Sequence, residues 1–186
     1  GLLSSVFVLS IFLTANGVYA VFERFEESYH VDMFRGFFPQ YLFSIFVAIL
    51  LGFLFLFSVA IFVFFELYFI QDLSELSSKV DWIRYGQLIL YFLATYISVA
   101  ILYYFGTIEG KKARFFSPGA FMTTILIAMT TKLFGIYITY FSSYNQLYGS
   151  IGALLILMFY IWLNSIILLL GFELNATLTR FKKSDK

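Results

Sequence analysis

Polar side chains inside or at the ends of long apolar stretches are the residues of this sequence that could do chemistry. They are Asn16, Lys132, Asn164 and Glu173. A cation within a membrane-spanning stretch is costly and usually functional, and Lys132 has serines but no acid at a similar predicted depth. Water or an anionic ligand would best satisfy its charge. We therefore predict that these four side chains contribute to a substrate-binding site.

Each of these residues also has a structural interpretation. The two asparagines could hydrogen-bond to a neighbouring helix, as amides do in membranes. Glu173 could be an interfacial carboxylate that accepts hydrogen bonds from a loop, with Ser117 or the basic cluster at 111–114 as donors. Lys132 could extend towards the membrane surface and keep its ammonium group in water.

Composition disfavours several other chemistries. The chain has no cysteine and one histidine, His30, and its acids are scattered among the polar connections. A metal-dependent hydrolase needs several such ligands converging on an ion, and the common nucleophile and phosphate-loop motifs are absent. A net charge of +1 does not indicate a basic face for nucleic acid. We expect no enzyme activity, no metal, no cofactor and no nucleic-acid partner.

Transmembrane helices are the elements that must position these residues. The 186-residue chain is 61% hydrophobic and 12% charged, whereas a soluble domain has about 25% charged residues. Five apolar runs, each about long enough to cross a bilayer, cover residues 2–22, 40–65, 88–106, 119–141 and 150–170. The predicted fold class is all-α, a polytopic helical bundle that forms one transmembrane domain over residues 1–186. Membrane lipids are its expected partners.

Local signals predict how these runs begin and how they are connected. Pro39 suits the first turn of a helix, and Ser117 followed by Pro118 is typical of a capped helix start. An uncharged turn is expected over residues 142–148. Residues 23–38 mix charged and aromatic side chains, which favours either a helix along the membrane surface or a solvated connector.

The last apolar run has a small and polar face. Residues that recur at spacings of three, four or seven lie on one side of a helix, and here they are Gly149, Ala153, Tyr160, Asn164, Gly171 and Asn175. Small residues let transmembrane helices approach closely. We predict helix packing at Gly149, Gly152, Ala153 and Gly171, and at Gly135 on the preceding run. The opposite face is expected to contact lipid.

Basic residues are divided unequally between the two sides of five alternating spans. The connections 23–38 and 107–118 and the carboxyl-terminal tail carry nine Lys and Arg residues, whereas the other side carries two. The positive-inside rule predicts that the nine are cytoplasmic. The carboxyl terminus is then cytoplasmic and Gly1 lies outside, so we expect an earlier span and six spans in the full protein.

Several segments resemble the bacterial YihY/BrkB membrane family. They are SPGA at 117–120, IYITYFSSYNQLYGSIGALL at 136–155 and LLLGFELNA at 168–176, and TANG at 14–17 is similar to the family's small-residue break. Tyr160 and Trp162 stand in exchanged order relative to the family pattern. The resemblance implies a six-helix bacterial inner-membrane protein whose first span this chain lacks. The family's former ribonuclease label conflicts with the scarcity of metal ligands.

Two classes of function remain open. The first is a transporter or lipid translocase for an anionic solute or lipid headgroup, in which a polar stripe from the first, fourth and fifth spans opens to one side at a time. The second is a non-transporting structural or envelope-assembly protein. The polar stripes and Lys132 favour transport, whereas the lack of paired acids within the spans disfavours an ion pump. An intramembrane enzyme ranks third.

Overall fold

Helices account for nearly all of the described chain. A computed structural model describes the backbone of residues 1–28, 35–71, 80–108 and 115–184, and the side chains of these residues except 65, 68–71, 80–84, 140–151 and 182–184. The helices are α1 (Leu2–Glu26), α2 (Phe37–Gln71), α3 (Val80–Gly106) and α4 (Pro118–Ser184). These residues include no strand, so the predicted all-α class is confirmed.

Five helical segments within the described ranges are long and apolar enough to cross a membrane. They are Leu2–Glu26, Phe37–Phe64, Tyr85–Gly106, Pro118–Thr139 and Gly152–Phe181. Each coincides with most of one apolar run in the sequence, and the last continues well beyond residue 170. The predicted polytopic helical bundle with five spans is confirmed.

α4 is folded back on itself. A straight helix of its 67 residues would be about 100 Å long, yet Gly119 N lies 2.8 Å from Asn175 Oδ1 and Thr131 Oγ1 lies 2.8 Å from Tyr160 Oη. Its two spanning segments, here called the first arm (Pro118–Thr139) and the second arm (Gly152–Phe181), are therefore antiparallel neighbours. The chain reverses between them, where the turn at 142–148 is predicted. The backbone there is helical, and its side chains lie outside the described set.

An aromatic core closes one end of the bundle. Phe25 of α1 stacks on Phe172 of the second arm with ring centroids 4.3 Å apart, and it meets Tyr103 of α3 at 5.6 Å. Phe46 of α2 meets Phe105 of α3, also at 5.6 Å. We call this region, where α1 and α3 end and α2 and α4 begin, the closed end. Offset and edge-on ring pairs of this kind each contribute about 0.5–1.5 kcal/mol beyond their buried area.

α1 extends into the stretch expected to form a separate connector. It continues to Glu26, and Phe22 and Phe25 are 0% and 1% exposed. Residues 29–34 lie outside the described chain. The expectation that a surface helix or solvated connector begins at residue 23 is wrong, because the aromatic face of this segment packs into the bundle.

The helix start predicted at Ser117 is confirmed. α4 begins at Pro118, and Ser117 Oγ accepts a hydrogen bond from Ala120 N at 3.3 Å. This bond satisfies one of the N–H groups that have no acceptor within the helix. Pro39 is in the first turn of α2, where its missing N–H breaks no helical hydrogen bond.

The connections that carry most of the basic residues meet at the closed end. Ser28, after α1, bonds to Glu173 of the second arm, and Arg35, before α2, bonds to Phe105 near the end of α3. The described residues that flank these connections, 27–28, 35–36, 107–108 and 115–117, therefore lie on the same side as the end of α4.

We expect the closed end to face the cytoplasm, because nine basic residues flank it and two flank the other side. A reporter fused after Lys186 should be active only in the cytoplasm, and one inserted within residues 72–81 only outside. Paired fusions with reporters specific to each compartment measure this. Exchanged activities would contradict the predicted orientation.

Candidate functional site

Glu173 lies at the closed end and is bonded by the segment after α1. Ser28 Oγ donates to Glu173 Oε1 at 2.5 Å, a short distance typical of a hydroxyl donating to a carboxylate. The predicted donor Ser117 instead contacts Asn175, and residues 111–114 lie outside the described chain. Glu173 thus has a connecting segment as its partner, although the donor differs from those predicted.

Glu26, Ser28, Arg35 and Glu173 form what we call the polar cluster. Glu26 is 6% exposed, and its Oε1 accepts from Arg35 N at 3.2 Å. Arg35 Nη1 donates to the carbonyl oxygen of Phe105 at 2.6 Å. Burial lowers the pKa of the Arg35 guanidinium and the charge of Glu26 opposes this effect, while arginine stays protonated at any ordinary pH. The cluster joins the connection between α1 and α2 to α3 and the second arm.

Two glycines bring the arms of α4 into close contact beside α3. A Cβ on Gly171 would overlap Thr123 Oγ1 and lie 2.5 Å from Tyr103 Oη, and a Cβ on Gly119 would overlap the carbonyl oxygen of Gly171. Tyr103 Oη donates to the carbonyl oxygen of Leu168 at 2.7 Å and lies 2.7 Å from Thr123 Oγ1. One hydroxyl of α3 therefore bridges both arms.

Asn175 joins the same two arms nearer the end of the bundle. Its Oδ1 accepts from Gly119 N at 2.8 Å, and its Nδ2 donates to Ser117 Oγ at 2.7 Å. Both bonds are buried. The segments SPGA and LLLGFELNA, far apart in the sequence, meet at these contacts and set the register of the two arms.

The small residues at the start of the second arm are only partly packed. Gly152 is buried, whereas Ala153 is exposed. Gly149 is among residues 140–151, whose side chains lie outside the described set. Within the described chain Ala153 meets no helix that buries it, so the packing at this residue stays a prediction.

Gly135 of the first arm also lacks the close contact predicted for it. A Cβ built there would meet no atom of the described structure within 4 Å. At this level the arms meet through larger side chains, since the rings of Phe134 and Tyr160 have centroids 4.8 Å apart. Helical periodicity predicts that Gly135 shares a face with other small residues, but it does not predict how far apart two helices lie.

The four predicted binding residues are not brought together. Asn16 and Lys132 are exposed, and Lys132 lies about 20 Å along the first arm from the start of α4, far from Glu173 at the closed end. Asn164 Nδ2 donates to the carbonyl oxygen of Tyr160 on its own helix at 2.8 Å, while its Oδ1 is buried without a partner in the described structure. A polar site lined by spans one, four and five therefore stays a prediction.

A cavity of about 720 Å³, which we call the cleft, lies between α2 and α3. Its walls are Leu51, Leu54, Phe55, Ser58, Val59 and Phe62 of α2 and Gln87, Leu88, Leu90, Tyr91, Ala94, Thr95 and Ser98 of α3. A second cavity of about 220 Å³ shares Phe62, Gln87 and Leu90 with it. Near the closed end the two helices are in contact at Phe46 and Phe105. Further from the closed end they are separated by the cleft, so the distance between them increases along their length.

The cleft is apolar apart from hydroxyl groups and one amide. Ser58, Thr95 and Ser98 each donate to the carbonyl four residues earlier on their own helix, at 2.9, 2.8 and 2.8 Å. Tyr91 Oη lies 3.4 Å from Thr131 Oγ1 of the first arm. None of the side chains that line it carries a charge.

Sequence reasoning missed both the cleft and the buried acid of the polar cluster. The polar residues of α3 recur at spacings of four, four and three, which places them on one helical face: Gln87, Tyr91, Thr95 and Ser98. Glu26 follows Phe22 by four positions and Phe25 by one, and residues four apart share a helical face. These two patterns are the signals that could have found them.

Comparisons with known proteins identify relatives of this chain. The family model described as "Virulence factor BrkB" matches residues 1–186. The chain is 30% identical over 193 residues to "Putative ribonuclease-like protein YfkH" of Bacillus subtilis (strain 168), which covers 98% of this chain and 68% of that protein. It is 32% identical over 110 residues to "UPF0761 membrane protein YihY" of Salmonella typhimurium, which covers 59% of this chain and 37% of that protein. No solved structure matches the chain.

The family match extends over the whole chain, well beyond the segments on which the resemblance rests. The ribonuclease-like name belongs to YfkH. In the described part of this chain, no group of three or more His, Cys, Asp or Glu side chains is placed to hold a metal ion. The resemblance to the YihY/BrkB family is confirmed by the family model and by the YihY alignment. The chain therefore belongs to the Virulence factor BrkB family of multi-pass membrane proteins.

Proposed function

We propose that this protein is a lipid translocase of the bacterial inner membrane. The observation that carries the proposal is the apolar cleft of about 720 Å³ between α2 and α3. Binding sites for small amphiphilic molecules have volumes of about 300–1,000 Å³ and combine apolar walls with a few placed polar groups. The size and the wall chemistry of the cleft both match this description. No catalytic step is part of the proposal.

The contrast between the two ends of the bundle supports movement of a substrate. At the closed end, rings from α1, α3 and the second arm pack together, and the polar cluster holds the neighbouring connections. Further along, α2 and α3 separate around the cleft. A protein that moves its substrate by alternating access needs one end closed while the other is open, and the contrast between the two ends supports the proposal for this reason.

Lys132 is the residue we propose for the charge of the lipid headgroup. It is exposed and follows Thr131, whose Oγ1 lies 3.4 Å from Tyr91 Oη in the cleft wall. Lys132 is thus one residue from a contact with the cleft wall, although its own side chain does not line the cleft. An ammonium group at this depth is costly unless it reaches water or an anion, and an anionic headgroup near the cleft would provide that partner.

Reconstitution into vesicles tests the proposed function. Fluorescent phosphatidylglycerol and phosphatidylcholine should both cross protein-containing vesicles faster than protein-free ones, as measured by reduction of the outer-leaflet label with dithionite. Lys132→Gln should slow the anionic lipid about tenfold, which corresponds to a loss of about 1.4 kcal/mol, and leave the zwitterionic lipid unchanged. Lys132→Arg should retain part of the rate, because the charge remains but its geometry changes.

The outcomes separate the two parts of this proposal. If vesicles with the protein translocate lipid no faster than vesicles without it, the translocase is refuted and the structural or envelope-assembly role is favoured. If translocation occurs but Lys132→Gln behaves like the parent with both lipids, the translocase stands and the headgroup role of Lys132 is refuted.

A further inference from the structure

The cleft has the length of one membrane leaflet. Along α2 its lining extends from Leu51 to Phe62, which is about 17 Å at the rise of an α-helix. The hydrocarbon core of a bilayer is about 30 Å thick, so one leaflet is about 15 Å deep. Beyond Leu51 the helices come together, and Phe46 meets Phe105. The cleft can therefore hold an extended chain that runs parallel to the helices and ends near the middle of the membrane.

The walls of the cleft favour hydrocarbon over a hydrated solute. The hydroxyl hydrogens of Ser58, Thr95 and Ser98 are already donated to backbone carbonyls, and the lining has no charged side chain. An ion or a sugar would lose its water there without gaining enough partners, which is unfavourable. An alkyl chain has no hydrogen bonds to lose and needs no polar partner in the cleft.

The cleft of about 720 Å³ is long enough and wide enough for a hydrocarbon chain, which is much thinner than an α-helix of about 10 Å diameter.

The end of the cleft away from the closed end has a polar group suited to the glycerol region of a lipid. Gln87 lines both the cleft and the smaller cavity, and it lies two residues after Tyr85, where the spanning segment of α3 begins. A carboxamide can donate to ester carbonyls and accept from hydroxyls. Gln87 is thus near the level at which the chains of a bilayer lipid join its headgroup.

We propose that the cleft is an acyl-chain site that holds one hydrocarbon chain of a bilayer lipid, with the ester and headgroup region of that lipid at Gln87. This inference deepens the proposed translocase function and rests on it, because it names the part of the substrate that the cleft recognises. If the cleft recognises the hydrocarbon chain of the lipid, its walls need to be apolar and need no cation. The headgroup charge then lies outside the cleft.

Photolabelling of the full chain in lipid nanodiscs tests the site. The probe is phosphatidylcholine with a diazirine near the end of one acyl chain, and labelled peptides are identified by mass spectrometry. Label should concentrate in residues 51–62 and 87–98. Ala94→Trp should reduce it about tenfold, because a side chain built into the space of a ligand rejects that ligand. Ala153→Trp, at an exposed position of the second arm, should leave it unchanged.

A milder pair of variants covers the case in which Ala94→Trp does not fold. Ser58 lines the cleft and donates to Leu54 O at 2.9 Å, while Ser10 is exposed on α1 and donates to Val6 O at 2.8 Å. Ser58→Leu should reduce cleft labelling, whereas Ser10→Leu should not. The two changes remove the same kind of intrahelical bond, so only the position differs.

The labelling experiment tests the acyl-chain site, and the translocation assay tests the proposed function, so each proposal can be refuted without the other. Label spread evenly over the lipid-facing helices, or cleft label that survives both filling variants, overturns the acyl-chain site even if the protein translocates lipid. Cleft label that falls as expected supports the acyl-chain site. If vesicles show no translocation in that case, the failure lies with the proposed function and not with the site.

Discussion

Replacing Gly171 with leucine is expected to lower the free energy of unfolding by about 3 kcal/mol, at the upper end of the usual range for overpacking. The first carbon of the new side chain would already overlap Thr123 Oγ1 and lie 2.5 Å from Tyr103 Oη and 3.0 Å from Gly119 O. Tyr103 cannot move away without losing its bond to the second arm. Thermal unfolding of the purified protein measures the effect, which corresponds to about 6–12 °C for a chain of this length.

Two controls separate overpacking from a general intolerance of larger residues. Gly135→Leu should change stability by less than about 0.5 kcal/mol, because a Cβ at Gly135 meets no described atom within 4 Å. Gly171→Ala combined with Thr123→Ala should cost less than the sum of the two single changes, since the second removes the overlapping oxygen. If Gly171→Leu melts with the parent protein, the close contact of the two arms is refuted.

Hydropathy predicted the spans of this fold because length and apolarity largely decide whether a helix can cross a bilayer. The start of α4 was equally predictable, since Ser117 and Pro118 act on the helix that they begin. Both features depend on residues that are close together in the sequence. The position of the small residues on one face of the second arm was predictable for the same reason, and Gly171 and Asn175 do contact the first arm.

The pairing of helix faces was not predictable in the same way. Lipid tails are as apolar as leucine side chains, so a residue in the cleft and one facing lipid obey the same pattern. Leu54 lines the cleft, whereas Leu155 is 61% exposed. The sequences of the two apolar runs do not indicate which of these leucines faces another helix and which faces lipid. Glu26 is buried and accepts a hydrogen bond from Arg35, a partner nine positions away that helical periodicity does not indicate.

Two of the segments that carry the family resemblance, SPGA at 117–120 and LLLGFELNA at 168–176, lie at the closed end and not at the cleft. Gly119, Gly171 and Asn175 touch each other or share a partner, and Glu173 holds the segment after α1. These contacts join the arms of α4 to the rest of the bundle. The residues proposed to meet the lipid are on α2 and α3. Of the four predicted binding residues, Glu173 lies in one of these two segments, whereas Lys132 and Asn164 lie outside the segments that carry the resemblance.

Asn175→Ala is expected to lower the free energy of unfolding by about 2 kcal/mol, the cost of leaving a buried donor unsatisfied. The change removes the acceptor of Gly119 N at 2.8 Å and the donor to Ser117 Oγ at 2.7 Å. Both lost bonds connect the two arms of α4, and the start of the first arm should loosen. Thermal unfolding measures the loss of stability, and hydrogen exchange at residues 117–121 should show faster exchange confined to this region.

Asn164 on the same arm is the matched control and also a test of the binding prediction. Its Nδ2 donates within its own helix at 2.8 Å, and its buried Oδ1 has no partner in the described structure. Asn164→Ala removes an unsatisfied group and should leave stability within about 0.5 kcal/mol of the parent. A loss of stability as large as that of Asn175→Ala would contradict the claim that the bonds of Asn175 between the two arms are what its replacement removes. With stability unchanged, a lower rate of lipid translocation would assign Asn164 to the substrate path, and an unchanged rate would remove it from the predicted binding residues.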